Sequence, residues 1–342
     1  LYSLAWRDED MPQMEVECWW GQESLSGGFE YVIDLLSPDA GLDIGRFAGR
    51  ALSLSCRLAD GSPAVRSGFV RWAMQTDADG GFGRYRVVIV PWLWLTTRGA
   101  HNRVFQERTV IEIVETVFAD YADVAAWQWG DEVAAFMADT RPRSYCVQYN
   151  ESDYQFVSRL LAEEGLGWRI EQDEAAPGGH RLSFFADSAL LPEDLVSQSA
   201  TGLRYHRADS QEAQDALLAF GEHHRLLSAK TTLLSHDYKA KRAVGTSVPT
   251  VLPIGGANAP ALESYDDVGP YAFATTGEAE RYGRLAMEAL EARYRTWLGR
   301  SAVRSLSAGT RIQVRGLPNP GEHRYSITTV SHVGINNLTG RA

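Results

Sequence analysis

Side chains able to do chemistry are scattered along this chain. Of its eight histidines, only His223-His224 with His236 form a group. Adjacent residues of a strand point to opposite faces, so His223 and His224 on a strand would not chelate one ion. Adjacent acids occur at Glu163-Glu164, Asp173-Glu174 and Asp266-Asp267. A catalytic carboxylate pair needs one member in an apolar pocket to separate the two pKa values, and these pairs fall at a helix end or in loops. Asp77-Ala78-Asp79-Gly80 starts like a calcium loop, but the twelfth position is Val88, where a bidentate Glu is required. Asn150-Glu151-Ser152 has the form of a glycosylation acceptor and reads better as a helix cap. Cys18, Cys56 and Cys146 are widely spaced and odd in number. They fit a reduced compartment and make neither a disulfide framework nor a metal knuckle. The sequence has no Walker-type glycine loop, G-x-G-x-x-G, H-E-x-x-H or G-x-S-x-G. No catalytic, cofactor-binding or metal-ligating residue is assigned, and no cofactor is expected.

The elements that would position such groups come in three blocks. Up to about residue 97 the chain reads as strands: Phe29 to Leu36, then Leu52, Leu54, Cys56 and Leu58 alternating with Ser53, Ser55 and Arg57, then Phe69 to Gln75 and Tyr85 to Leu95. Asp60-Gly61 and Asp77-Ala78-Asp79-Gly80-Gly81 supply turns. Helical periodicity begins at Thr109, where Thr109 and Glu112 form a capping box. A second helix starts at Ser152 with Gln155 and stops at Gly165. A hairpin from Gly167 to Ala186 follows. Leu203 to Tyr238 reads as strands and Lys239 to Leu262 as a loop or crossover. A third helix, capped by Thr275 and Glu278, is predicted from Gly277 to Leu298, with Glu280–Arg284 and Glu291–Arg295 as helical ion pairs. Strands close the chain: Arg311 to Arg315, a Pro318-Asn319-Pro320-Gly321 turn, and Tyr325 to Val333. Gly49-Arg50 and Gly309-Thr310 open similar strand patterns, a hint of internal duplication.

The 342 residues carry 33 Lys+Arg against 44 Asp+Glu, a net charge of −11. That balance opposes wide contact with nucleic acid or an anionic membrane. No apolar run approaches the ~18 residues of a spanning helix. No basic-then-apolar leader is present, although the chain begins at Leu1. Tryptophans come in pairs: Trp19-Trp20, Trp92 with Trp94, Trp127 with Trp129. They fit core packing or a subunit interface. Trp19 and Trp20 must face opposite ways on a strand, so both faces need cover.

Three stretches carry a resemblance: Gly83-Arg84-Tyr85-Arg86 through Pro91-Trp92-Leu93-Trp94-Leu95, Arg103-Val104-Phe105-Gln106 through Ile113, and Arg143-Ser144-Tyr145-Cys146-Val147-Gln148-Tyr149 through Glu163-Glu164-Gly165. Together they resemble the N-terminal hub region of the VgrG spike proteins of type VI secretion, which is similar to the hub of contractile phage baseplates. The resemblance implies an α+β fold, with two related antiparallel β-barrel domains and an inserted α/β domain, phage tail hub-like. On that reading residues 1–97 are the first barrel, 98–202 plus 239–298 the α/β domain, and 203–238 plus 299–342 the second barrel. It implies a homotrimer with a pseudo-sixfold ring, docking on the hexameric Hcp tube, with a PAAR tip protein and effectors held by regions beyond this hub fragment. It implies a structural protein, assembled in the bacterial cytoplasm and ejected without a cleaved signal peptide, and not an enzyme. Two other classes compete. A hydrolytic enzyme assembled from distant residues requires a deep pocket with a perturbed acid or histidine. A carbohydrate- or peptide-binding β module requires exposed tryptophans along a groove.

Overall fold

The computed structural model describes residues 1–79, 81–205, 216–254, 260, 262–317 and 323–336. The N-terminal block holds β1 (Tyr2–Trp6), β2 (Glu15–Ser24), β3 (Phe29–Ser37), β4 (Ala51–Arg57), β5 (Pro63–Asp79) and β6 (Phe82–Val90). Next come β7 (His101–Phe105), α1 (Val110–Ala119), β8 (Trp127–Trp129), α2 (Val133–Phe136), β9 (Cys146–Glu151), α3 (Asp153–Glu164), β10 (Gly167–Gln172), β11 (His180–Phe185) and α4 (Leu195–Ser199). The last part holds β12 (Leu203–Arg204), β13 (Leu217–His224), β14 (Lys230–Asp237), β15 (Arg242–Pro249), β16 (Glu263–Pro270), α5 (Thr276–Glu291), β17 (Arg295–Ser301), β18 (Arg311–Arg315), β19 (Arg324–Ser326) and β20 (Thr329–Ile335). The architecture is α+β, and its strand pairs are mostly antiparallel.

One large sheet dominates, in the order β1-β4-β5-β6-β3-β2-β20. Its inner face is built by alternation: Tyr31, Ile33 and Leu35 on β3 and Tyr85, Val87 and Ile89 on β6 are all buried. The sheet curls until its two edge strands approach each other. Asn336, just past β20, donates from Nδ2 to the carbonyls of Tyr2 (3.0 Å) on β1 and Val16 (3.0 Å) on β2. β20, expected in the second barrel, lies here because Trp19, Trp20 and Gly21 pair with Gly334, Val333 and His332. A separate core under α1 and α3 gathers Trp92, Val114, Phe118, Phe156, Leu160 and Phe184.

The duplication hint has a counterpart in hydrogen bonding. Gly49 (φ +81°) donates its N–H to Val70 O at 2.8 Å, and Val70 N–H returns to Arg50 O at 2.8 Å. Gly309 (φ +82°) donates to Ile327 O at 2.8 Å, and Ile327 N–H returns to Thr310 O at 2.8 Å. In both, the next residue bonds back three positions, Arg50 to Phe47 and Thr310 to Ser307. Both glycines take a left-handed conformation that L-side chains resist.

The three capping boxes form as predicted, at Thr109/Glu112, Ser152/Gln155 and Thr275/Glu278, and Gly165 ends α3 at φ +75°. Other expectations are corrected. Trp92–Thr97 is a 3₁₀ turn rather than the end of a strand, because Pro91 cannot donate to a ladder. Helix α5 ends at Glu291, and Arg295 to Leu298 pair with β13. Glu291 therefore accepts from Thr250 Oγ1 (2.7 Å) and Val251 N (2.9 Å) instead of meeting Arg295. Within the expected loop from Lys239, Arg242 to Pro249 form a strand against β14. Asp77 to Asp79 extend β5 rather than turn, and Gly80 and the Pro318–Gly321 turn lie outside the described residues.

His180 ties the large sheet to the α/β block. Its Nε2 accepts the Trp92 N–H at 3.0 Å, and its Nδ1 lies 2.9 Å from the Gly178 carbonyl and donates to it. Both nitrogens are used in the neutral form, and burial pushes the ring's pKa down to about 4. The unfolded ring takes a proton near pH 6.5 and the folded ring resists until about 4. The contribution is therefore complete above 6.5 and is lost as pH falls towards 4. Urea unfolding at pH 7.5 and 4.5 is expected to show a loss of about 2–3 kcal/mol from this residue. In His180→Gln, which can keep both hydrogen bonds, that component of the pH slope disappears.

Candidate assembly interface

The residues singled out for chemistry do not converge. His223 and His224 lie on β13, and His236 lies on β14 in another sheet. His224 Nε2 instead sits 2.6 Å from Glu222. No group of metal-ligating side chains occurs among the described residues. Asp77 pairs with Arg84 at 3.6 Å on the β5–β6 hairpin. Asp173 accepts from Ala175 N and from Arg181 in the β10–β11 loop. Asp267 accepts from Gly269 N beside Asp266 on β16. Asn150 and Glu151 precede Ser152, whose hydroxyl caps α3.

Glu163-Glu164 is a structural pair, split by environment. Glu163 is half-exposed, between Arg143 and Arg159. Glu164 is 1 % exposed and holds Arg143 at 2.6 Å, Arg281 at 2.9 Å and the Tyr282 hydroxyl at 3.1 Å. Burial and the Glu164 charge push the Tyr282 phenol up to about 12. This network clamps α3, α5 and the segment leading to β9. Buried Asp153 does the same work at the start of α3: it accepts from Arg103 (2.5 Å), Gln148 (2.8 Å) and Tyr121 (2.8 Å). Burial raises its carboxyl pKa, but those three donors outweigh it and hold the group below its usual range. A third polar cluster joins β2, β5 and β20. His332 Nε2 lies 3.1 Å from Glu23, Ser307 donates to Glu23 at 3.2 Å, and Arg66 donates to the carbonyls of Arg304 and Leu306. The Ser307 hydroxyl is directed to the Glu23 carboxylate and not to His332.

Sequence reasoning missed the feature that stands out in three dimensions, a transverse apolar row on the outer face of the large sheet. Val333 pairs with Trp20, Trp20 with Val32, Val32 with Val88, and Val88 with Trp72. Directly paired residues share a face, so the row crosses β20, β2, β3, β6 and β5 opposite the core. Val333 is 78 %, Trp20 36 % and Trp72 38 % exposed, while Val32 between them is half-buried and Val88 is fully covered. In the neighbouring row Ile335 and Met74 are also exposed, and the charges between them cancel: Arg86 binds Asp34 through two bonds of 2.6 and 2.9 Å. The Arg86 guanidinium also lies over the Trp20 ring at 5.0 Å. A broad apolar face with internally neutralised charge is the composition of a protein–protein contact. The only sequence sign was Trp19-Trp20, which indeed split: Trp19 is buried and Trp20 faces out. Trp92 is buried, and Trp94 lies between Arg71 and Arg98, so these rings do not line a sugar groove.

Comparison with known proteins gives the family. The profile described as phage tail baseplate hub matches residues 22–338. The type VI secretion system spike protein VgrG1b of Pseudomonas aeruginosa is 28 % identical over 305 residues, which cover 89 % of this chain and 39 % of that protein. VgrG1a of the same organism is 28 % identical over 316 residues, covering 89 % and 45 %. The chain thus spans less than half the length of these curated relatives. In structure it is similar to the E. coli c3393 protein, a type VI secretion component, with a TM-score of 0.66, 20 % identity, and 98 % of this chain and 74 % of that chain covered. The fold is therefore tail hub-like.

Removing the buried acid of the α3–α5 clamp leaves two guanidinium groups without their partner. Glu164→Ala is expected to lower urea stability by about 3–5 kcal/mol. Glu163→Ala, at a half-exposed pair, changes it by less than about 1 kcal/mol.

Proposed function

The chain belongs to the phage tail baseplate hub family, and from that membership we propose that it is the structural hub of a trimeric, cell-puncturing spike of a type VI secretion system. Three copies would form a closed ring, since head-to-tail contacts in a cyclic trimer leave no free patch. Each copy would contribute two related barrel units, one in residues 1–97 with its sheet completed by β20, and one in 203–238 plus the rest of 299–342, around an α/β block of 98–202 plus 239–298. The observation that carries this reading is the repeated hairpin: the same three-bond pattern at Gly49/Val70 and Gly309/Ile327. A duplicated unit replicated threefold gives six similar elements, matching a hexameric Hcp-like tube.

The apolar row from Val333 to Trp72 would meet a neighbouring copy in that ring. A PAAR tip and effectors would be carried by other parts of the spike, which would assemble in the bacterial cytoplasm and be ejected with the tube. Turnover has no part in this role; load is resisted by ladder hydrogen bonds and buried contacts. No helix among the described residues is long and apolar enough to cross a membrane.

Light scattering on the intact spike protein is expected to give three copies. Trp20→Asp combined with Val333→Asp should shift the mass towards single copies and leave the thermal midpoint within a few degrees, because both side chains are outside the core. A wild-type protein that stays monomeric at high concentration sinks the reading.

A further inference from the structure

We propose that a cleft between the large sheet and the β17–β19 region binds an acidic, extended peptide segment of a partner protein. The cleft measures about 760 Å³, within the range of built ligand sites. Arg295, Arg300, Arg304, Arg324 and His332 line it, and among the described residues no Asp or Glu does. In a chain where 44 acids face 33 bases, Arg300 and Arg304 make the cleft a local positive well, while Arg295 is paired with Glu222 and burial lowers the pKa of His332. Low-dielectric walls strengthen such a well and steer anionic partners into it.

The arginines differ in availability. Arg295 is held by Glu222 and stacks on Trp297 at 4.8 Å. Arg304 donates to the Arg57 carbonyl at 2.8 Å, which positions the guanidinium without neutralising it. Arg300 is exposed and takes part in no ion pair among the described residues. Behind the wall Arg66 is 5 % exposed, lies over Trp19 at 5.3 Å and has an Nε without a hydrogen-bond partner. Its Nη2 lies 3.3 Å from His332 Nε2, which lies 3.1 Å from Glu23.

Two features favour a peptide over a small anion. β17 and β20 are each the last strand of their sheet and both contribute walls, so open backbone edges border the cleft. An extended segment can bond such an edge while alternate side chains reach the two walls. The walls are also aromatic: Tyr325 packs edge-on against Trp297 (4.8 Å) and Phe220 (4.9 Å). Acidic and apolar residues alternating along one strand would satisfy both surfaces. This inference does not depend on the trimeric hub reading, because the cleft lies within one chain.

The test is fluorescence anisotropy of a labelled octapeptide alternating Glu with Leu, titrated with the whole chain. Saturable binding is expected. It should weaken about tenfold in Arg300→Glu and again between about 50 and 300 mM salt, and a Lys-for-Glu peptide should not bind. Arg304→Gln, which keeps a donor for the Arg57 carbonyl, supplies a second variant with the same expected direction. Absence of saturable binding overturns the proposal, as does binding indifferent to both variants. Equal competition by inorganic phosphate would make it a simple anion site and overturn the peptide assignment. Dissociation of a wild-type assembly by Arg300→Glu, seen by sedimentation, would make the cleft a contact between copies and overturn it as well.

Discussion

The pairing of β20 with β2 is the constraint on which the structure depends. Without it the large sheet would end at β2, and its buried face would open between β1 and β2. With it, a strand more than three hundred positions away closes the curl, and Asn336 fastens β1 and β2 together. The fit is tight enough to dictate residue type. At Gly334 a Cβ would lie 2.2 Å from Trp19 Nε1 and 2.7 Å from the Tyr2 ring, so only glycine lets the backbone run beneath Trp19. Trp19 in turn packs edge-on against Tyr2 and Tyr31 at 5.7 Å. The core of the N-terminal block is therefore completed by the last described strand, and the two ends of the sequence cannot fold independently of each other.

Polar contacts decide how the blocks sit on this sheet. Glu164, Asp153 and the Glu23–His332–Arg66 cluster are all buried, and each joins elements distant in sequence. Buried charges are expensive to desolvate and add little net stability over apolar packing. Their effect is geometric, because a guanidinium fork and a carboxylate accept few relative orientations. Arg143 meeting both Glu163 and Glu164 fixes the approach to β9 against α3. What these contacts supply is orientation rather than the last kcal/mol.

Local signals were legible in the sequence and long-range ones were not. Each capping box was readable because its hydroxyl and acceptor lie three residues apart, and Gly165 because a left-handed stop favours glycine. The errors fell where tertiary pairing overrode periodicity. Arg295 to Leu298 continue the helical apolar stripe of α5, yet Trp297 is claimed by β13 and Tyr325. Arg242 to Pro249 are rich in small residues and lack alternation, because β15 is half-exposed and Gly245 sits under β14, where a Cβ would lie 2.8 Å from the Leu233 carbonyl. The outer apolar row was hidden for a related reason. Val333, Trp20, Val32, Val88 and Trp72 are individually ordinary in sequence, and only the register of four strand pairs makes them one row.

The repeated glycine hairpin is what the two units of the proposed duplication would share physically. Gly49 and Gly309 share a left-handed conformation and the same donor–acceptor partners, while the residues around them differ: Phe47 and Arg50 in one copy, Ser307 and Thr310 in the other. Phe47 is buried in the core of the large sheet, whereas the hydroxyl of Ser307 reaches across to Glu23 on β2. The backbone geometry is held by the turn, and the side chains are free to specialise. At one hairpin the position completes an apolar core, and at the other it makes a polar contact between β2 and the turn before β18, so the same backbone turn serves packing in one place and orientation in the other.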